Sequence, residues 1–149
     1  MNDILEKLER ENLYLAGFGK RVLAYLIDVF IISLIVSAIF YDKIANFDDV
    51  TQISALLGNF FGGLLLLQFS YDFVFVALYG ATLGKMVCKI AVVDEQSLSK
   101  PSILRSALRS AVKLLSDACF KLGFAWALSN DLRKSWQDYA AKTLVIELA

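Results

Sequence analysis

Hydrophobic positions in this chain gather into long runs before they settle into any periodicity. Val22 to Phe40 is a stretch of nineteen residues whose only ionisable carboxyl is Asp28. At about 1.5 Å per helical residue it reaches roughly 28 Å, close to the ~30 Å hydrocarbon core of a bilayer. A second run fills residues 54–79 and carries one charged residue, Asp72. It is longer than one crossing requires, which predicts tilt or extension past the bilayer.

The flanks follow shorter patterns. In residues 1–20, Ile4, Leu5, Leu8 and Tyr14 or Leu15 fall near helical spacing, so a short amphipathic helix is expected before Gly17 and Gly19 break the pattern. After the second run, Gly80 and Gly84 punctuate the chain and Ile90-Ala-Val-Val93 reads as a strand. Pro101-Ser102 opens the next helix, with Ser99 or Ser102 as its cap. Arg105, Arg109, Lys113, Asp117 and Lys121 then recur every four residues as one polar stripe. Leu104, Leu108, Ala111, Leu115, Ala118 and Leu122 form the apolar face, the pattern of a helix lying at a membrane interface. Residues 122–129 are apolar but too short to cross alone, and are expected to form the second arm of a shallow hairpin. A last β-like run, 143–148, is expected to pair with 89–94, since neither strand is stable alone.

The expected fold class is therefore a mainly α membrane protein. It has two transmembrane helices (about 22–40 and 54–79), a cytoplasmic-side amphipathic helical hairpin and a short two-stranded β element. Residues 1–20 form an N-terminal amphipathic cytoplasmic segment, and 21–149 a single membrane domain.

Composition agrees with that class. Of 149 residues, 58% are hydrophobic, and mean hydropathy is +0.59. The competing class is a soluble all-helical domain with a large apolar core, which such long apolar runs disfavour. Fifteen basic residues balance fifteen acidic ones, so the net charge argues against a nucleic-acid partner. There is no His, and Cys88 and Cys119 are too few for a zinc site or a disulfide scaffold. No cofactor or metal is expected, and without a visible base for either thiol an enzyme is not expected. Gly84-Lys85 is not a phosphate loop: Tyr79 stands where the motif needs its first Gly, and Met86 replaces its Ser/Thr.

Charge distribution sets the expected topology. Lys and Arg number four in residues 1–21, one in 41–52, six in 80–113 and four from 114 onward. The positive-inside rule then places both termini in the cytoplasm and the short acidic loop outside, with two crossings. Asp28 and Asp72 each lie seven residues in from a cytoplasmic end, about 10 Å deep, so antiparallel spans would bring two carboxyls to one level. Arg21 and Asp28 share a helix face. Two carboxylates in low dielectric require a shared proton or cations, the candidates being Arg21, Lys85, Arg109 and Lys113.

These residues carry a resemblance. Arg21-x-x-Ala24-x-x-Ile27-Asp28, Gly80-Ala-Thr-Leu-Gly-Lys-Met86, Val92-Val93-Asp94, Pro101-Ser102, Arg109 and Gln137-Asp138-x-x-Ala141-x-Thr143 occur in that order. Over about residues 17–147 the chain resembles the bacterial RDD family of membrane proteins. The family takes its name from an arginine at the start of the first span and two aspartates. By position these are Arg21, Asp28 and Asp138, with Gly80, Gly84 and Lys85 as further motif positions. Gln137 departs from the His or Gly that relatives often carry, so a proton step through such a His has no counterpart here. The resemblance implies the bacterial cytoplasmic (inner) membrane, and a transport role with ion or proton exchange suggested for some members.

Two functions compete at this point. In one, an oligomeric transporter or cation/proton exchanger uses Asp28 as a proton or cation site, with Asp72 as a second carboxyl and Arg21 tuning both. The same residues could instead be a structural ion pair. In the other, the protein is a membrane scaffold or accessory subunit. Gly58 and Gly62 would then pack on a second copy or a partner membrane protein, and the Arg105–Arg109–Lys113 stripe would contact anionic lipid head groups or a protein.

Overall fold

A computed structural model describes residues 2–46, 48–119 and 122–148. The chain begins with helix α1 (Asn2–Arg10), strand β1 (Tyr14–Leu15) and the long helix α2 (Phe18–Ile39). Short helices α3 (Tyr41–Ala45) and α4 (Val50–Asn59) lead to α5 (Phe61–Tyr79). Then come α6 (Leu83–Val87), β2 (Ile90–Asp94) and α7 (Ile103–Ala118). The chain closes with α8 (Leu122–Ala125), a 3-10 turn at Trp126–Ser129, α9 (Trp136–Ala141) and β3 (Thr143–Glu147).

The two apolar runs form α2 and α5, with mean hydropathies of 2.6 and 1.7 over their most apolar windows. Only 11% and 17% of those windows are covered by the rest of the chain. A core helix of a soluble protein would be covered on most sides; these present Leu26, Phe30, Leu34 and Leu66, among others, outward. The helix expected over 54–79 is divided at Phe60, where the backbone leaves helical geometry (φ −103°, ψ 14°). Gly58, Gly62 and Gly63 crowd this point and lower helix propensity on both sides. A Cβ built at Gly58 or Gly62 meets nothing within 4 Å, so neither is an intramolecular helix contact among the described residues.

Helix α7 is turned the other way from the interfacial helix expected of it. Its polar stripe faces the protein and its leucines face out: Arg109 is 2% exposed, Leu104 78% and Leu115 66%. The physical reason is that buried acceptors on α5, α9 and β2 claim the stripe. Arg105 pairs with Asp94, Arg109 with Asp138, and Lys113 with Asp72. The stripe therefore does not face outward as the interfacial reading expected; Lys121, its last expected member, lies outside the described residues. The expected hairpin is also shorter than a two-armed one, because α8 has four residues and α7 packs mainly on α9 and α5.

The β element has three strands rather than two. β3 is central, flanked by β2 and by β1, all antiparallel, with Val92 opposite Val145 and Val93 opposite Leu144. Tyr14–Leu15 is too short to carry a strand signal of its own, and only pairing with Ile146–Glu147 makes it one. Alternate residues feed two cores. Val92 and Val145 join Ala16, Ala24 and Val76 on the side of the long helices, while Val93, Leu144 and Ile146 meet Leu8 of α1 on the other.

Candidate functional site

Three buried acidic clusters lie where α2 and α5 meet the sheet end of the molecule. The first is built on α9. Ser135 caps this helix and Asp138, three residues later, closes the capping box: Ser135 N and Oγ donate to Asp138 Oδ2 at 3.0 and 2.8 Å. The same carboxylate receives Arg21 Nη1 of α2 at 3.3 Å and Arg109 Nη1 of α7. Arg109 Nη1 also donates to Thr143 Oγ1 (3.1 Å), and Arg21 Nη2 to the Val145 carbonyl (3.4 Å). Burial alone would push the Asp138 carboxyl up. The charges of Arg109 and Arg21 and the Ser135 N–H outweigh it and hold the group well below the usual carboxylate range.

The second cluster holds Asp28. The Tyr71 hydroxyl donates to Oδ1 (2.7 Å), the Thr82 hydroxyl to Oδ2 (2.6 Å) and the Gly84 N–H to Oδ1 (2.8 Å). The local fold that delivers these donors depends on two glycines. Gly80 ends α5 in the left-handed region (φ 73°), which turns the chain back toward α2. Gly84 lies against the Ala24 backbone, and a Cβ there would come within 2.8 Å of Asp28 Oδ1 and closer still to the Ala24 carbonyl. Arg21 and Asp28, expected as a pair on one helix face, therefore take different partners. Two helical turns put them side by side, but Asp138 reaches Arg21 and three neutral donors take up Asp28.

The third cluster joins α5 to α7: Asp72 accepts from Ser110 Oγ (2.9 Å) and Lys113 Nζ (2.6 Å). The two carboxyls expected at one level, Asp28 and Asp72, thus each have their own donors rather than sharing a proton. Lys113, half-buried, is pushed down by burial, but the Asp72 charge outweighs this and raises it.

Between these clusters lies a cavity of about 310 Å³. Arg21, Asp28, Lys85, Arg109, Lys113 and Gln137 supply its polar lining; Phe18, Val22, Tyr25 and Leu26 of α2 supply an apolar wall. Lys85 stands apart from the other cations. Among the described residues its Nζ makes no ion pair and donates no hydrogen bond, although it feels the charges of Asp72 and Asp28. Burial, then Arg109 and, more weakly, Lys113 push its pKa down to about 7, against the pull of the two aspartates. The Nε–H groups of Arg21 and Arg109, Ser116 Oγ and Gln137 Oε1 are buried and have no partner among the described residues. Among the described residues no group of three or more His, Cys, Asp or Glu could hold a metal.

The paired Arg21 and Asp138 with Asp28 nearby are the three residues that the resemblance singled out, and residues 15–142 match the RDD family. The chain belongs to the RDD family. No curated protein and no solved structure matches it. In this RDD-family chain the family's arginine and second aspartate form one buried ion cluster with Arg109, and the first aspartate forms another. Tyr71, Thr82, Ser110, Ser135 and Thr143 complete these clusters; Thr82 and Thr143 stood within the motifs of the resemblance without a role of their own, and Tyr71, Ser110 and Ser135 were not singled out from the sequence. The nearest signals were the capping-box spacing of Ser135 and Asp138 and the position of Tyr71 beside Asp72. RDD proteins are membrane-associated, and the uncovered α2 and α5 agree with that.

Proposed function

We propose that this RDD protein is a small proton-coupled transporter of the exchanger type, working as an oligomer in the bacterial inner membrane with both termini cytoplasmic. The observation that carries this reading is Lys85, unpaired among the described residues, in a cavity at the foot of the first span. Arg21, Arg109 and Lys113 each have a fixed carboxylate partner and Asp28 has three fixed donors, so the other charges are committed to the fold. Lys85 can gain or lose a proton near neutral pH without breaking an ion pair or hydrogen bond of the described residues. Each such event changes the charge of the cavity by one and so couples the proton to a second charged solute. Asp28 then acts by its negative charge on Lys85 rather than by carrying the proton itself. Two spans are few for a permeation path, which calls for several copies.

The test is proton flux in liposomes holding purified protein, driven in turn by sodium, potassium and phosphate gradients. Flux under one gradient, lost in Lys85→Gln while the variant remains inserted and monodisperse, is the expected result. No flux under any gradient from well-folded wild type would sink the reading.

A scaffold reading keeps one observation of its own: Gly58 and Gly62 lie open to a second helix. Gly62→Leu would then abolish self-association or partner association in detergent, with no proton flux in the wild type. Unchanged association would remove it.

A further inference from the structure

The unpartnered polar atoms of the cavity have a common chemistry. Arg21 and Arg109 are each more than nine-tenths buried, line the same cavity, and keep an Nε–H without an acceptor. Lys85 lines it with an ammonium that has no hydrogen-bond acceptor among the described residues. Asp138 engages only Nη groups of the two arginines, so each guanidinium retains donor capacity on the edge that carries Nε. An oxyanion with several acceptor oxygens satisfies planar guanidinium donors and a lysine together; a metal cation satisfies none of them. Four basic side chains here face three buried aspartates, with Asp117, which accepts from Gln68, as a further acidic lining residue. The apolar part of the lining belongs to the first turns of α2, the end of the candidate span predicted to be cytoplasmic. Basic pockets at that level among membrane helices suit phosphate head groups with acyl chains alongside.

We infer that the cavity between α2 and α7 binds a phosphate-bearing anion, its phosphoryl oxygens on Lys85 and on the guanidinium groups of Arg21 and Arg109 that line the cavity. The apolar wall of Phe18, Val22 and Leu26 fits this anion as part of an anionic phospholipid. A soluble phosphate would use the same donors and leave the wall bare. The ligand's place in the membrane rests on the transport reading, whereas its chemistry rests on the unpartnered donors. Binding without flux would leave the anion site standing and remove transport; flux without phosphate binding would do the reverse.

The experiment is native mass spectrometry of the full chain released from nanodiscs of phosphatidylcholine with one-fifth phosphatidylglycerol, with and without millimolar inorganic phosphate. One phosphatidylglycerol retained per chain is expected, falling about tenfold in Lys85→Gln and unchanged in Lys43→Gln, which does not line the cavity. Displacement of that lipid by inorganic phosphate would support the phosphate chemistry with a soluble source. Arg109→Lys, which keeps the charge but loses Nε–H, should weaken retention. Because Arg109 also belongs to the Asp138 cluster, the deciding variant is Lys85→Gln, which breaks no ion pair or hydrogen bond of the described residues. Retention of phosphatidylglycerol no greater than that of phosphatidylcholine, or equal retention by wild type and Lys85→Gln, overturns the inference.

Discussion

Asp138 is the residue on which most of the buried charge depends. It is 0% exposed and compensates two buried guanidiniums from different helices. Asp138→Asn removes that compensation and is expected to destabilise the protein by roughly 3–5 kcal/mol, read as a loss of monodisperse protein on mild heating in detergent. Asp28→Asn should behave differently. An amide oxygen can keep the bonds from Tyr71 and Gly84, and its NH2 can donate to Thr82, whose hydroxyl reverses. The variant should fold, yet it withdraws a charge that raises the Lys85 pKa. The pH profile of proton flux is therefore expected to move to lower pH in Asp28→Asn; an unmoved profile would separate Asp28 from Lys85. Lys85 also leaves a mark on stability. Its folded pKa, about 7, lies below its ordinary 10.5, so the unfolded chain binds more protons between those values. Stability should rise with pH across that window, and Lys85→Met should flatten the rise.

Among the secondary-structure elements, α6 and α7 are where the fold departs most from its sequence pattern. A five-residue helix would be marginal alone, but α6 is held between α2 and β2 by contacts that only a glycine at position 84 permits. Gly84→Ala must push against the Ala24 backbone and the Asp28 carboxylate, which is expected to cost about 1–3 kcal/mol or more, as overpacking does. Proteolysis of the inserted protein near residue 84, faster in the variant, would register it. For α7 the inward charges and outward leucines make a statement about solvent. With Cys88 and Cys119 replaced by serine, a nitroxide at Leu115→Cys should be relaxed by oxygen dissolved in lipid more than by a water-soluble nickel chelate. The opposite order would place that face in water.

Taken as one body, the protein joins two uncovered apolar helices to a compact sheet-and-helix end, and the charge clusters sit at the junction. In the proposed orientation, Asp48→Cys reacts with an impermeant thiol reagent in intact cells and Glu6→Cys only after permeabilisation; labelling of both in intact cells would overturn that topology. The two long apolar helices were legible in the order of residues alone: α2, and α5 apart from the break at Phe60, follow from run length with little help from the rest of the chain. The pairing of β2 with β3 was legible in the same way, because two short apolar strands, each marginal alone, satisfy their backbones by pairing; that β3 also takes β1 was not legible. The partners of the charges came from the folded arrangement and from nothing local. Arg21 and Asp138 are 117 residues apart, and helical periodicity relates Arg21 only to neighbours such as Asp28. The amphipathic pattern of α7 is the same whether its polar face meets water or buried carboxylates. Which of these it meets depends on where Asp72, Asp94 and Asp138 are brought, a matter of long-range packing that no local period encodes.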